Sequence, residues 1–161
     1  MAESNSKQGK TSEEEDRISN LPDDVLNHIL SCLPTKTTVS TGRLSRRWRH
    51  LWKHLSVLNF VDISDEDVHQ HSKLFKSFAL LVNGVLAAFP GAPHTIEKFL
   101  LECAHSRFED KFRAYSVEMW VRAAIDLHPK ELVLNLYSYG NDLSFKLPLS
   151  LFISTNLVSL R

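Results

Sequence analysis

The chain has 161 residues with 19 basic and 19 acidic side chains, so its formal net charge is zero. This balance disfavours a general polyanion-binding protein, because such proteins carry an excess of Lys and Arg. A content of 43% hydrophobic and 24% charged residues excludes a largely disordered chain and predicts one folded domain, or one small module with part of a second.

The N-terminal segment 1–15 is polar and has almost no apolar side chains, which predicts a disordered tail without a signal peptide. The most apolar stretch, 78–89, is about a dozen residues long and too short to span a membrane. The two cysteines, Cys32 and Cys103, lie far apart without a pairing pattern, which indicates reduced thiols. We therefore expect a soluble protein of the cytoplasm, the nucleus or both.

Three short helices are predicted after this tail, over 22–33, about 35–44 and about 45–55. Pro22 is placed at the first helical position, and Thr35 and Ser45 are placed as caps of the second and third helices. A module of about forty residues is near the lower size limit for independent folding and cannot bury all of its Leu and Trp side chains. Its remaining apolar surface predicts a protein partner.

Three sequence blocks within this window are DRISNLPDDVL at 16–26, LPTK at 33–36 and LSRRWRHLW at 44–52. In this order and spacing they resemble the F-box of the large plant F-box/leucine-rich-repeat family. The resemblance implies an F-box over 16–60 that docks onto a Skp-type adaptor and, through it, a cullin-RING ubiquitin ligase. The adaptor-binding residues implied by the resemblance are Leu21, Pro22, Ile29, Leu30, Leu44 and Trp48.

The second helix departs from the family pattern at Thr37, Thr38, Ser40, Gly42 and Arg43. Two β-branched threonines and a glycine inside a helix cost about 1 kcal/mol or more relative to good helix formers. We expect these departures to affect adaptor affinity more than the fold.

The remainder, 61–161, alternates predicted strands and helices. The strands are expected over 56–61, over 95–104, from Leu132 and from Asn156, with amphipathic helices over 74–89 and around 117–128. Ile96, Phe99, Leu101 and Cys103 are predicted to form the buried side of the second strand. Phe99, Leu132 and Leu160 appear at equivalent positions about thirty residues apart, which is typical of a leucine-rich-repeat solenoid.

Four further segments resemble the same family, namely WV at 120–121, KEL at 130–132, LPLSLF at 147–152 and LVSL at 157–160. The fold implied is α+β, with an N-terminal three-helix F-box followed by an incomplete leucine-rich-repeat-like α/β solenoid. Family members continue through more repeats, whereas this sequence stops at Arg161. We therefore expect a short or truncated member.

A run of basic residues extends from the second predicted helix through the third. Six Lys and Arg side chains and no Asp or Glu lie between residues 36 and 60, whereas 13–16 is acidic. The simplest use of this asymmetry is an acidic partner. The alternative is a helix-turn-helix-like nucleic-acid-binding protein, which Trp48, Leu51 and Trp52 disfavour because they leave only one face of the helix for phosphate contact.

Catalytic and metal sites are disfavoured. His50 and His54 are four residues apart, as in some zinc helices, but no catalytic Glu or third ligand accompanies them. Cys103 near His105 is better explained as a buried structural thiol. We expect no enzymatic activity and no cofactor, and a role in tethering an unknown protein substrate for ubiquitination. A second alternative is a truncated, non-productive competitor of complete receptors.

Overall fold

The computed structural model describes residues 17–62, 71–89, 96–107, 111–139, 149, 151 and 159–160. The predicted disordered tail at 1–15 lies outside these residues. The elements in chain order are α1 (Asp23–Ser31), α2 (Thr35–Thr41), α3 (Trp48–Leu51) with a following 3-10 turn (Trp52–His54), β1 (Val57–Val61), α4 (His71–Ala87), β2 (Lys98–Arg107), α5 (Lys111–Asp126), β3 (Glu131–Tyr139) and β4 (Ser159–Leu160). The protein thus mixes helix and strand, with short helices grouped towards the N-terminus.

The N-terminal helices are shorter than the sequence indicated. Pro22 precedes α1 as its cap, and Thr35 is the first residue of α2, where a cap was predicted. The prediction that Gly42 lies inside the second helix is wrong, because α2 ends at Thr41. Gly42 therefore imposes no mid-helix penalty. The third helix begins only at Trp48, whose N–H lies 3.5 Å from Ser45 Oγ, at the long limit of a hydrogen bond.

The four strands form one parallel sheet in the order β1-β2-β3-β4. Phe99 pairs with Leu132, and Leu132 pairs with Leu160, so the predicted equivalence of these three positions is confirmed. The row continues to Leu58 of β1, which was not among the predicted positions. Parallel neighbours require a crossover connection, and α4 and α5 supply the first two.

The helices α4 and α5 pack through aromatic side chains. The rings of Phe78 and Trp120 meet edge to face with centroids 5.4 Å apart, and Phe75 lies 5.8 Å from Trp120. Trp120 Nε1 donates a hydrogen bond to Asn83 Oδ1 over 2.7 Å, which satisfies the polar end of the indole. The buried side of β2 is as predicted, since Ile96, Phe99, Leu101 and Cys103 are all buried.

The hydrophobic core is continuous from α1 to α5 and crosses residue 60, where the sequence predicted a boundary between modules. Helix α2 makes the junction through two buried threonines. The Asn59 N–H of β1 donates to Thr35 Oγ1 over 2.7 Å, and Thr38 Oγ1 donates to the Leu30 carbonyl of α1 over 3.1 Å. The short α2 is therefore hydrogen-bonded to an element on each side.

A buried ion pair links the end of β1 to α5. Arg113 Nη1 lies 2.8 Å from Asp62 Oδ2, and both side chains are 1% exposed. The Arg113 guanidinium also lies 3.9 Å from the centroid of the Phe75 ring, a cation–π distance. Removing either partner would leave an uncompensated charge in the interior, which is costly in free energy.

Candidate protein-binding surface

Helix α1 presents apolar side chains to solvent on one face. Val25 and Ile29 are 42% and 41% exposed, and residues four apart in a helix lie on the same face. Pro22, directly before the helix, is exposed, and Ile18 in the preceding turn is 59% exposed. Because the opposite face places Leu26 and Leu30 in the core, this outer face is available to a partner. We call Pro22, Val25 and Ile29 the α1 face.

The predicted adaptor-binding set divides into surface and core residues. Ile29 and Pro22 are on the α1 face, Leu44 is 70% exposed in the turn after α2, and Leu21 is half-buried against the core. Leu30 and Trp48, at 1% and 6% exposure, are core residues of this chain. Adaptor contact by the set stays a prediction. Val25 was absent from it, although its spacing from Ile29 was visible in the sequence.

Arg47 holds the segment that leads into α1. Its Nε lies 2.8 Å from Asp23 Oδ1, and one Nη donates to the Leu21 carbonyl over 2.5 Å. The other Nη donates to the Ser19 carbonyl. A planar guanidinium suits such a set of acceptors, because its donors diverge in a fixed geometry. In the sequence Arg47 is one residue of the basic run, and no local pattern indicates this structural role.

The rest of the basic run lies on the surface. Arg43, Arg46, Arg49, His50 and Lys53 are all exposed. No Asp or Glu lies between residues 36 and 60, so these exposed residues form a segment with a local excess of positive charge. A surface of this kind favours an acidic partner through complementary charge.

Metal sites, disulfides and membrane-spanning helices are absent from the described part of the chain. No group of three or more His, Cys, Asp or Glu side chains is close enough there to hold a metal ion. Cys103 is buried and Cys32 is exposed, and neither forms a disulfide. Among the described helices, none combines the length and apolar character needed to cross a bilayer.

Comparison with known proteins gives a domain match and several similar plant proteins. Residues 18–60 match the F-box domain family. The chain is also 34% identical over 146 residues to an F-box/FBD/LRR-repeat protein of Arabidopsis thaliana, covering 91% of this chain and 32% of that protein. A second Arabidopsis F-box/FBD/LRR-repeat protein is 38% identical over 150 residues, which are 91% of this chain and 30% of the relative.

An Arabidopsis F-box/LRR-repeat protein is 35% identical over 153 residues, which are 91% of this chain and 26% of the relative. The chain thus spans between a quarter and a third of the length of these curated relatives. No solved structure matches the chain.

Proposed function

Because the chain contains an F-box domain and is homologous over most of its length to Arabidopsis F-box/FBD/LRR-repeat proteins, we propose that it is a substrate receptor of a Skp-cullin-F-box ubiquitin ligase. The observation that carries this proposal is the exposed apolar α1 face, which lies inside the F-box match. F-box proteins generally bind a Skp-type adaptor, and a helix with an exposed apolar face suits a helical groove on such a partner.

In the proposed contact with the adaptor, one group of residues touches the adaptor and a second group supports the first from the core. Pro22, Ile29 and Leu44 are exposed and contact the adaptor directly, together with the accessible part of Leu21. Leu30 and Trp48 support the exposed residues from the core below. The exposed basic residues beside them attract an acidic surface of the partner and accelerate association.

The substrate-binding part is proposed to be the repeat-like sheet that follows the F-box. Successive parallel strands, the first three joined by helices, with Leu58, Phe99, Leu132 and Leu160 in one row, are typical of a leucine-rich-repeat solenoid. In this proposal the N-terminal helices form a three-helix F-box, and the receptor has no catalytic residues of its own. It acts in the cytoplasm or nucleus by raising the effective concentration of a bound protein near the ubiquitin-carrying enzyme.

The test is calorimetric titration of the chain with a purified Skp-type adaptor. Ile29→Glu places a charge in the α1 face and is expected to weaken binding by at least about 10-fold, because burying an unpaired carboxylate is costly. Leu80→Glu is the matched control, since Leu80 is 75% exposed on α4, outside the F-box match. If Ile29→Glu binds the adaptor as tightly as the unmodified chain, the proposed docking face is wrong.

A second candidate function is nucleic-acid binding, which the exposed side chains of Arg43, Arg46 and Arg49 favour. Binding to duplex DNA that falls steeply with added salt would support this function, because each phosphate contact releases counterions. The neutral net charge of the whole chain favours the receptor function over it.

A further inference from the structure

A pocket of about 580 Å³ lies where α2, β1 and α4 meet. Its apolar walls are formed by Val39, Phe60, Val61, Leu74, Phe78 and Leu81. The volume falls within the range of about 300–1,000 Å³ that is typical of small-molecule sites. Walls of this composition favour an apolar ligand, because covering them removes apolar surface from water.

Two side chains that line the pocket, those of Asn59 and Lys36, have a polar group without a described partner. Asn59 Oδ1 is buried and accepts no hydrogen bond from the described part of the chain, a situation that costs free energy until a partner is supplied. Lys36, on the α2 side, is exposed and forms no ion pair with any described residue. Asp62 also lines the pocket, but its carboxylate is paired with Arg113. The uncompensated charge of the pocket is therefore positive.

The outer edge of β1 supplies one more donor. The Asp62 N–H donates to the Glu102 carbonyl of β2 over 2.8 Å, and backbone groups of successive strand residues point to alternate sides. The N–H groups of Asn59 and Val61 therefore point away from β2. Thr35 Oγ1 already accepts from the Asn59 N–H, so this edge is closed to an added peptide strand. The Val61 N–H has no acceptor among the described residues and remains for a smaller ligand.

We propose that this pocket binds an amphipathic organic monocarboxylate. Its apolar body packs against Phe60 and Phe78, and its carboxylate accepts from Lys36 and the Val61 N–H. Asn59 also lines the pocket, and the nitrogen of its side-chain amide contributes a further donor to the carboxylate. Because the walls come both from the F-box match and from α4 beyond it, the ligand stabilises the junction between the two regions.

The test is a titration of the full ¹⁵N-labelled chain, followed by NMR, with decanoate and with uncharged 1-decanol as probes. Both are expected to shift the Val61 amide and the Asn59 side-chain amide saturably. Lys36→Gln is expected to weaken decanoate about two- to fivefold, the value of one exposed charge pair, and to leave 1-decanol unchanged. Lys111→Gln, at an exposed position on α5, is the matched control and is expected to change neither.

Blocking variants complete the test. Ser77 and Ser40 are exposed residues on opposite walls of the pocket, on α4 and α2. Ser77→Trp and Ser40→Trp each place an indole in the pocket and are expected to abolish both shifts while circular dichroism stays unchanged. The absence of saturable shifts in the unmodified chain overturns the proposal, as does undiminished decanoate binding by a folded blocking variant. Equal weakening of both probes by Lys36→Gln overturns the carboxylate assignment.

Discussion

Thr38 has a low helix propensity, but its side chain contributes a tertiary hydrogen bond to α1. As a β-branched residue in a seven-residue helix it disfavours α2 locally. Yet it is fully buried, and its single hydroxyl donor lies 3.1 Å from the Leu30 carbonyl and 3.3 Å from the Pro34 carbonyl. An alanine, which has a higher helix propensity, would lose the link to α1. The departure of Thr38 from the family pattern therefore carries a tertiary hydrogen bond.

The neighbouring threonines provide a matched test at the residue scale. Thr38→Val keeps the shape and removes the hydroxyl, so we expect a loss of about 1 kcal/mol in the free energy of unfolding. Thr37→Val makes the same change at an exposed position of the same helix and is expected to have an effect near zero. Urea unfolding followed by circular dichroism measures both. Equal effects of the two variants would contradict the role assigned to the buried hydroxyl.

At the scale of elements, the strands and the long helices were predictable, whereas the details of α2 and α3 were not. Helix α5 buries Val117, Trp120, Val121, Ala124 and Ile125 at helical spacing, as the sequence indicated. Long amphipathic segments carry a strong periodic signal, because many residues agree on one buried face. Helix α3 has four residues, too few for any period, and tertiary contacts decide its bounds.

The buried ion pair connects α5 to Asp62, the residue that follows β1. Arg113→Met leaves the Asp62 carboxylate buried without its partner guanidinium, and we expect a loss of about 3–5 kcal/mol in the free energy of unfolding. Combining it with Asp62→Leu is expected to restore much of this stability, because apolar replacements of both partners remove the buried charges.

The surface pair of Glu118 and Arg122 is the matched control for this experiment. Its side chains are 46% and 57% exposed, and Arg122→Met is expected to cost less than about 1 kcal/mol. Thermal or urea unfolding compares the three variants. An Arg113→Met loss as small as that of the control would contradict the proposed importance of the buried pair.

At the scale of the whole molecule, the continuous core joins the N-terminal helices to the sheet. Leu26 of α1, Phe60 of β1 and Trp120 of α5 belong to one buried cluster. A shared core favours a single cooperative unfolding transition. It also gives the α1 face a defined orientation relative to the parallel sheet.

Native-state hydrogen exchange tests this cooperativity. We expect the amides of Leu30 in α1 and Leu101 in β2 to exchange with similar opening free energies, close to that of global unfolding. The Ile18 turn, which is exposed, serves as the fast-exchanging reference. Exchange of Leu30 by a much lower-energy opening than that of Leu101 would show that the N-terminal helices unfold as a separate unit.

The sequence by itself determined the family resemblance, the α+β order of elements and the equivalence of Phe99, Leu132 and Leu160, because these depend on local periodicity and spacing. Only the tertiary structure decided which predicted contact residues are exposed. Leu30 and Ile29 are adjacent in one helix, yet one is buried and the other is on the surface.

The pairing of Asp62 with Arg113 was likewise decided by the tertiary structure. The same holds for the hydrogen bonds that Arg47 donates to Asp23 and to the Leu21 carbonyl. Asp62 and Arg113 are 51 residues apart in the sequence, and Asp23 and Arg47 are 24 residues apart. A local pattern cannot predict such pairs, because the chain brings them together only when the sheet and its helices have packed.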